Sequence, residues 1–418
     1  MRPPPGTRAG PFFFAPPAPP ARGKPQGAVS SGDEVPPSRA RADRLTWEGV
    51  IPLDQLRFGV VGAAQRGASF FSAITTNPRA RLQALCDLDE TGLQKTAAEA
   101  GVSRTYTEYE RLLDEGEIDS VVIGTPMPLH ASQAMMALER GIHVLSEVPA
   151  CVSMQEAQGL VAACKRSGAT YMMAENYCYM RPNTLVKAIA RAGLFGRMYF
   201  AEGEYLHELK ELNEVTKWRR RWQTGVNGCT YPTHSLGPVL QWLDERAVSV
   251  LCTGTGHHYR DPRGDEYENE DSTTMLCRTS GGGLVQIRLD MLSNRPHNMT
   301  YYSLQGTTGC YEAARGLGDQ PKIWLADRCE KLEWMPLEDL AEEFLPEEWL
   351  RPSEAQLQAG HGGGDYLEVQ DFISAVLDGV PPPVGIHEAL DMTMPGLISQ
   401  QSIAQGGTWV EVPDSRAW

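Results

Sequence analysis

No stretch of this chain approaches the roughly 20 consecutive apolar residues that carry a helix across a bilayer, so no membrane partner is expected. Positive charge is also scarce. Against 53 Asp and Glu there are 38 Lys and Arg, and the net charge of −15 has the wrong sign for nucleic acid or an anionic membrane surface. One phosphorylated small molecule stays open, because a helix N-terminus binds phosphate without any net positive charge. Paired cysteines are lacking as well. The nine cysteines are odd in number, none has C-x-x-C spacing, and most sit in apolar runs, as Cys86 and Cys252 do. A disulfide framework or a zinc site is therefore not expected; buried free thiols in a reducing, cytoplasmic setting are.

At 418 residues the chain is too long for a single hydrophobic core, and two domains are the expectation. Residues 1–45 stand apart. Prolines run throughout them, including the apolar stretch at 11–21, where they break any signal-peptide core. A disordered, Pro-rich leader is expected there.

From Leu56 onward the pattern is regular. Apolar strand-like runs at 56–64, 80–89, 102–106, 118–126, 142–149 and 170–176 alternate with helix-like segments at 66–76, 90–101, 109–116, 130–141 and 153–168. Short connections between alternating β and α segments predict a parallel sheet flanked by helices. After about Tyr177 the pattern changes to β-rich segments at 198–210, 247–256, 272–279, 283–291 and 300–312, with one helix at 235–245. These predict a large, mostly antiparallel open sheet. Two amphipathic helices at 366–379 and 387–407 are expected to pack back across the domain junction. The fold class is thus α/β, with a second α/β domain.

The first strand-to-helix turn reads Gly62-Ala63-Ala64-Gln65-Arg66-Gly67, a G-x-G-x-x-G pattern with alanine in the second place. That place lets backbone approach a pyrophosphate, and alanine is the smallest replacement. The second strand ends in Asp87, where a carboxylate accepts hydrogen bonds from an adenosine ribose and repels a 2′-phosphate. NAD is the expected cofactor, on a Rossmann domain at 46–176. A second, α+β domain is expected at 177–418. The alternative for Asp87 is a simple helix cap.

These residues, with Gly124-Thr125-Pro126 followed by His130, Glu147-Val148-Pro149 and a histidine in the second domain, resemble the Gfo/Idh/MocA oxidoreductase family over nearly all of 56–418. The resemblance implies that the second domain binds substrate and mediates oligomers, with a sugar-like small-molecule substrate and dimers or tetramers built on the second sheet. Two departures stand out. The family's dehydrogenases have Glu-Lys-Pro where this chain has Val148, which cannot titrate, and an Asp where it has Thr230. Both departures resemble the branch of NAD-dependent glycosidases typified by α-N-acetylgalactosaminidases. Glu175-Asn176-Tyr177-Cys178-Tyr179, Glu204-Tyr205-Leu206-His207, Trp218-Arg219, Tyr231-Pro232-Thr233-His234 and His361-Gly362-Gly363-Gly364-Asp365 are similar to it too.

In that branch hydrolysis runs through oxidation at C3, elimination across C1–C2, addition of water and return of the hydride. The resemblance implies Tyr231 and His234 as acid and base, with Tyr179 assisting. Tyr205, His207 and Arg219 would hold the sugar. Gly62, Ala64, Arg66, Gly67, Asp87, Thr125, His130, Glu147, Val148 and Asn176 would bind the cofactor. Plainer readings stand beside these: His234 as a structural histidine before a helix, Tyr231 as packing, His207 as core, the 219–221 arginines as a solvated face, and His130 as packing beneath the cofactor. His257-His258 and the acidic run 261–271 could suggest a metal. Adjacent histidines on a strand face opposite ways, so a solvated acidic loop is expected instead. A flexible loop is expected at 361–365. The rival functions are a net NAD-dependent sugar or cyclitol dehydrogenase and a non-catalytic NAD-binding sensor.

Overall fold

Six parallel strands make the first sheet: β1 (Leu56–Val61), β2 (Ala80–Cys86), β3 (Arg104–Tyr106), β4 (Ser120–Ile123), β5 (His143–Glu147) and β6 (Tyr171–Ala174). Their order is β3-β2-β1-β4-β5-β6, the doubly wound order whose crevice lies beyond the carboxyl ends of the paired β1 and β4, where the strand order reverses. The computed structural model describes residues 55–296 and 299–418, so the expected leader at 1–45 lies outside the described residues. All four residues of β4 are buried, as a strand covered by helices on both faces requires. The covering helices are α1 (Phe71–Thr75), α2 (Glu90–Ala100), α3 (Tyr109–Glu115), α4 (His130–Glu139) and α5 (Met154–Ser167). Capping fixes two of their starts: the Asp89 side chain accepts from the Gly92 amide and Ser153 from the Glu156 amide. The helix expected over 66–76 is broken. A 3₁₀ turn at Arg66–Phe70 precedes α1, because Gly67 is drawn onto the Gly62 carbonyl, N to O 3.0 Å.

The second sheet has nine strands: β7 (Met198–Leu206), β8 (Ala247–Gly254), β9 (Ser272–Thr279), β10 (Leu284–Asp290), β11 (Thr300–Gly306), β12 (Gly309–Glu312), β13 (Lys322–Leu325), β14 (Met335–Pro336) and β15 (Val410–Glu411). Their order is β14-β13-β12-β11-β7-β10-β9-β8-β15, and β7 with β10 is the parallel pair in an otherwise antiparallel set. The β-rich segment expected at 300–312 is a hairpin turning at Thr307–Thr308. The one expected at 198–210 stops at Leu206, and residues 210–215 turn helical. On the buried face lies α7 (Thr233–Leu243), for which α6 (Arg181–Arg191) is a neighbour. Helix and sheet touch at Gly203: a Cβ there would fall 2.1 Å from the Ser235 carbonyl oxygen. The strand can approach this closely only without a side chain.

Two C-terminal helices, α8 (Gly364–Leu377) and α9 (Ile386–Ala404), link the two sheets. From α8, Val369, Phe372 and Ile373 join Leu56, Phe58, Leu145 and Met172 of the first sheet in one apolar cluster. Ring centroids of Phe58 and Phe372 are 5.9 Å apart. From α9, Ser402 accepts from the Cys252 amide of β8 at 2.8 Å, and Thr393 faces the Ala150 amide after β5 at 3.4 Å. None of the nine cysteines is in a disulfide. Among the described residues no helix is long and apolar enough to cross a membrane, and no group of three His, Cys, Asp or Glu is placed to hold a metal.

Candidate active site

A cavity of about 770 Å³ opens along the carboxyl ends of β1, β4 and β5 and runs to α7. At one end lies the glycine turn. Gly62 has φ +81°, and a Cβ on it would meet the Gly124 carbonyl oxygen at 2.5 Å, so the turn requires glycine. Gly67 and Gly124 are in similarly close contact: a Cβ on Gly124 would sit 2.7 Å from the Gly67 Cα. The Asp87 carboxylate accepts from the Ala64 amide at 2.8 Å and the Asp89 amide at 2.9 Å, and it borders the cavity. It is a fixed acceptor at the end of β2, of the kind that binds ribose hydroxyls.

Mid-cavity, Arg66 holds the site's charges together. Its Nε pairs with Glu147, and its guanidinium meets Asp365 from α8 at 2.9 and 3.3 Å. Burial opposes charge on both partners. Yet the facing carboxylates keep Arg66 firmly cationic, while His361 and Arg66 together hold Asp365 well below the usual carboxylate range. The Asn176 amide donates to Asp365 at 2.9 Å, and His361 Nδ1 lies 2.9 Å from the same carboxylate. The Asn176 side-chain oxygen is buried with no partner, a free acceptor at the cavity wall. Together with Asp87 and the glycine turn, these groups fit a dinucleotide.

At the far end stands a cup of aromatic side chains. Rings of Tyr177, Tyr205 and Tyr231 lie 4.2, 5.1 and 5.3 Å from the His234 ring, centroid to centroid. His234 comes from the first turn of α7, and its Nδ1 sits 2.7 Å from Oε1 of Glu175, which is fully buried. Burial pushes the hydroxyls of all three tyrosines upward, so they are neutral donors at ordinary pH. The Tyr205 hydroxyl lies 2.9 Å from His207 Nδ1. Arg219 is held by Thr216 at 3.0 Å and Gln223 at 2.8 Å, and it packs over Trp218 on the same wall.

Of the residues named from sequence, Gly62, Arg66, Asp87, Thr125, His130, Glu147, Val148, Asn176, Tyr205, His207, Arg219, Tyr231 and His234 line this cavity. Ala64, Gly67 and Tyr179 do not. Ala64 contributes its amide to Asp87, and Gly67 contributes closeness to Gly124. Tyr179 is a correction. The 3₁₀ turn Asn176–Tyr179, capped by Glu175, sends Tyr177 to the cavity and buries the Tyr179 hydroxyl beside Asp371. His130 has both ring nitrogens against backbone carbonyls, Pro149 at 2.9 Å and Thr125 at 2.8 Å, so it braces the wall.

Two further expectations change. The 361–365 segment is a turn with positive φ at His361, Gly362 and Gly363 that opens directly into α8, and Asp365 is held by Arg66, Asn176 and His361. The acidic run 261–271 is only partly solvated: Asp261 is buried against Arg220 and Arg263, and Asp271 against His258. Arg220 is thereby tied down, while Arg219 faces the cavity. Sequence reading missed Glu175, Tyr177, His361 and Asp365 as site residues. All four stood inside the quoted motifs, but only the turn geometry separates Tyr177 from Tyr179.

Comparison with known proteins identifies the family and the fold. The family model described as an oxidoreductase family with an NAD-binding Rossmann fold matches residues 56–175, and that of the glycosyl hydrolase 109 C-terminal domain matches 179–417. A glycosyl hydrolase family 109 protein from Saccharopolyspora erythraea is 30% identical over 392 residues, covering 86% of this chain and 83% of its own. An alpha-N-acetylgalactosaminidase from Shewanella oneidensis is 27% identical over 403 residues, covering 87% and 85%. Among solved structures, levoglucosan dehydrogenase with NADH and levoglucosan superposes with a TM-score of 0.74 at 20% identity, covering 86% of this chain and all of that one. The WlbA dehydrogenase of Bordetella pertussis, with NADH and UDP-GlcNAcA, superposes at 0.67 with 22% identity, covering 86% and 99%.

Proposed function

Because this chain belongs to glycosyl hydrolase family 109, an NAD-using family on the Gfo/Idh/MocA fold, we propose that it hydrolyses a glycoside with His234 and Tyr231 as its proton-transfer groups. The observation that carries this reading is the buried Glu175–His234 pair beside Tyr231 at the end of the cavity. Bound NAD supplies a reversible hydride acceptor for C3 of the sugar, which makes the neighbouring C–H acidic, allows elimination at C1, and leaves net hydrolysis once water has added and the hydride has returned. The protein's part is to move protons. One leaves the C3 hydroxyl, one leaves C2, and one must reach the departing oxygen.

With Nδ1–H given to the Glu175 carboxylate, neutral His234 keeps Nε2 as a lone-pair nitrogen for the cavity. A proton taken there makes an imidazolium that Glu175 offsets. Tyr231, kept protonated by burial, suits the donor's role. Val148 borders the cavity and cannot titrate, so it adds nothing to this traffic. Arg219, anchored by Thr216 and Gln223, and Tyr205 with His207 suit the holding of sugar hydroxyls. The relative named alpha-N-acetylgalactosaminidase supports an N-acetylhexosaminide as the substrate. A dimer or tetramer built on the second sheet and a cytoplasmic site of action complete the proposal.

The test is purified protein on a panel of p-nitrophenyl glycosides, reading phenol release and NADH absorbance together. Phenol release without net NADH, lost in Tyr231→Phe and His234→Ala, is expected. Steady NADH accumulation on free sugars without phenol release would overturn the proposal in favour of a net dehydrogenase.

A further inference from the structure

Behind the Glu175–His234 pair lies a carboxyl group that the reading above leaves without a role. Glu368 sits on α8 one turn after Gly364, whose missing Cβ would fall 2.7 Å from the Asn176 carbonyl oxygen. Residues i and i+4 share a helix face, so Glu368 faces the same 175–179 segment that carries Glu175. Its side chain is fully buried, and neither of its oxygens has a hydrogen-bond partner. The second oxygen of Glu175 is buried and unpartnered too.

The charges around it are unbalanced. Asp365, Glu147 and Glu175 press on Glu368 from its own helix, from the end of β5 and from the 175–179 turn. Arg66 is the cation acting on it and is already spent on Glu147 and Asp365. Its other titratable neighbours, Tyr179 and Cys178, are both held neutral by burial. A fourth bare carboxylate in such a cluster would have neither partner nor water, a state that buried carboxyl groups avoid by keeping their proton.

We infer that Glu368 is a neutral carboxylic acid at working pH and a positioning residue for the reaction: its proton keeps one further negative charge away from the Glu175–His234 pair. With Glu368 neutral, His234 can release the proton it takes up. Once Glu368 ionises, the added charge holds His234 as imidazolium and the base is lost. This inference rests on the proposed role of His234, but the charge state of Glu368 does not. Burial and the neighbouring carboxylates push its carboxyl far above the usual range, consistent with that charge state.

The experiment compares wild-type enzyme with Glu368→Gln, which keeps the shape and the neutral state. An infrared difference spectrum at neutral pH should show the carbonyl stretch of a protonated carboxyl group in the wild type and its loss in the variant. Melting gives a second readout. A folded-state carboxyl with a raised pKa keeps a proton that the unfolded chain loses above about pH 4.3, so the contribution of Glu368 to wild-type stability falls as pH rises. The variant's melting temperature should therefore gain on the wild type between about pH 4 and 8. On the glycoside, the alkaline limb of kcat should move upward in the variant, with KM unchanged. A carboxylate band in place of the protonated one would overturn the charge assignment, whether or not the enzyme cleaves glycosides. A protonated band with an unmoved alkaline limb would overturn the action on His234. If no glycoside is cleaved at all, the infrared and melting arms still decide the charge state.

Discussion

Nδ1 of His234 lies 2.7 Å from Oε1 of Glu175, and the two side chains come from elements of different sheets: Glu175 follows the last strand of the first sheet, and His234 stands in the first turn of the helix packed on the second. The pair therefore exists only when both sheets are in place. Glu175→Gln keeps the shape, but its amide can donate toward Nδ1 and favour the wrong tautomer. In a comparable His–carboxylate pair that change costs on the order of 10⁴ in kcat. Here a kcat loss of about 10²–10⁴ is expected with NAD affinity unchanged, read by steady-state kinetics beside a fluorescence titration of NAD. A parallel loss of NAD binding would instead mean that Glu175 supports the fold of the cofactor site.

Tyrosines 231 and 179 separate by location. Tyr231→Phe removes the cavity hydroxyl and should lower kcat by about 10²–10⁴. Tyr179→Phe removes a hydroxyl buried outside the cavity, and it should leave turnover intact with stability equal or slightly raised. Equal losses in the two variants would put Tyr179 back into the chemistry.

Asp87 is held by two backbone amides, so its carboxylate geometry is preset before any ligand arrives. Asp87→Ala should weaken NAD by about 10–100-fold and narrow the preference for NAD over NADP. Isothermal titration with both dinucleotides measures each effect. An unchanged ratio of the two affinities would leave Asp87 as a turn-forming residue alone.

Arg66 anchors Glu147 and Asp365, and removing it strips both carboxylates of their shared guanidinium, leaving Asp365 with His361 and Asn176. Breaking a buried pair costs about 3–5 kcal/mol. Arg66 is one-third exposed, so about 2–3 kcal/mol is expected for Arg66→Met. The pH dependence has a definite sign. Asp365 titrates below its unfolded value, so its contribution is complete above about pH 4 and is lost as pH falls below that. The stability gap between variant and wild type should thus be widest near neutrality and shrink in acid, measured by urea unfolding across pH. A gap that is constant with pH would mean that packing, and not charge, is what Arg66 supplies.

The first sheet was legible because its strands are apolar runs punctuated by glycine and capping residues at regular spacing, as with Asp89 and Gly101 around α2. Local signals fix such elements. The glycine turn and Asp87 were legible for the same reason. Where sequence reading fell short, the deciding contacts are distant. Nothing near Tyr177 tells it apart from Tyr179, since both are tyrosines in one turn and only the packing of α8 and α7 decides which faces the cavity. Asp365 follows three glycines and suggested a mobile loop. Its hydrogen-bond partners are Arg66 and Asn176, far away in the chain. Likewise the acidic run 261–271 looked solvated because its partners, Arg220 and His258, are set by tertiary structure.

The Arg66–Asp365 bridge joins positions 299 residues apart, and that separation bears on how the protein is made. A ribosome delivers the glycine turn well before α8. Because domains fold as they emerge, the nascent first sheet must wait while the residues up to α8 are made, with the apolar surface that Phe372 later covers still open. Its cofactor turn lacks its final brace for the same interval. Nucleotide capture before then would therefore be weak, and competence would arrive abruptly once α8 has emerged.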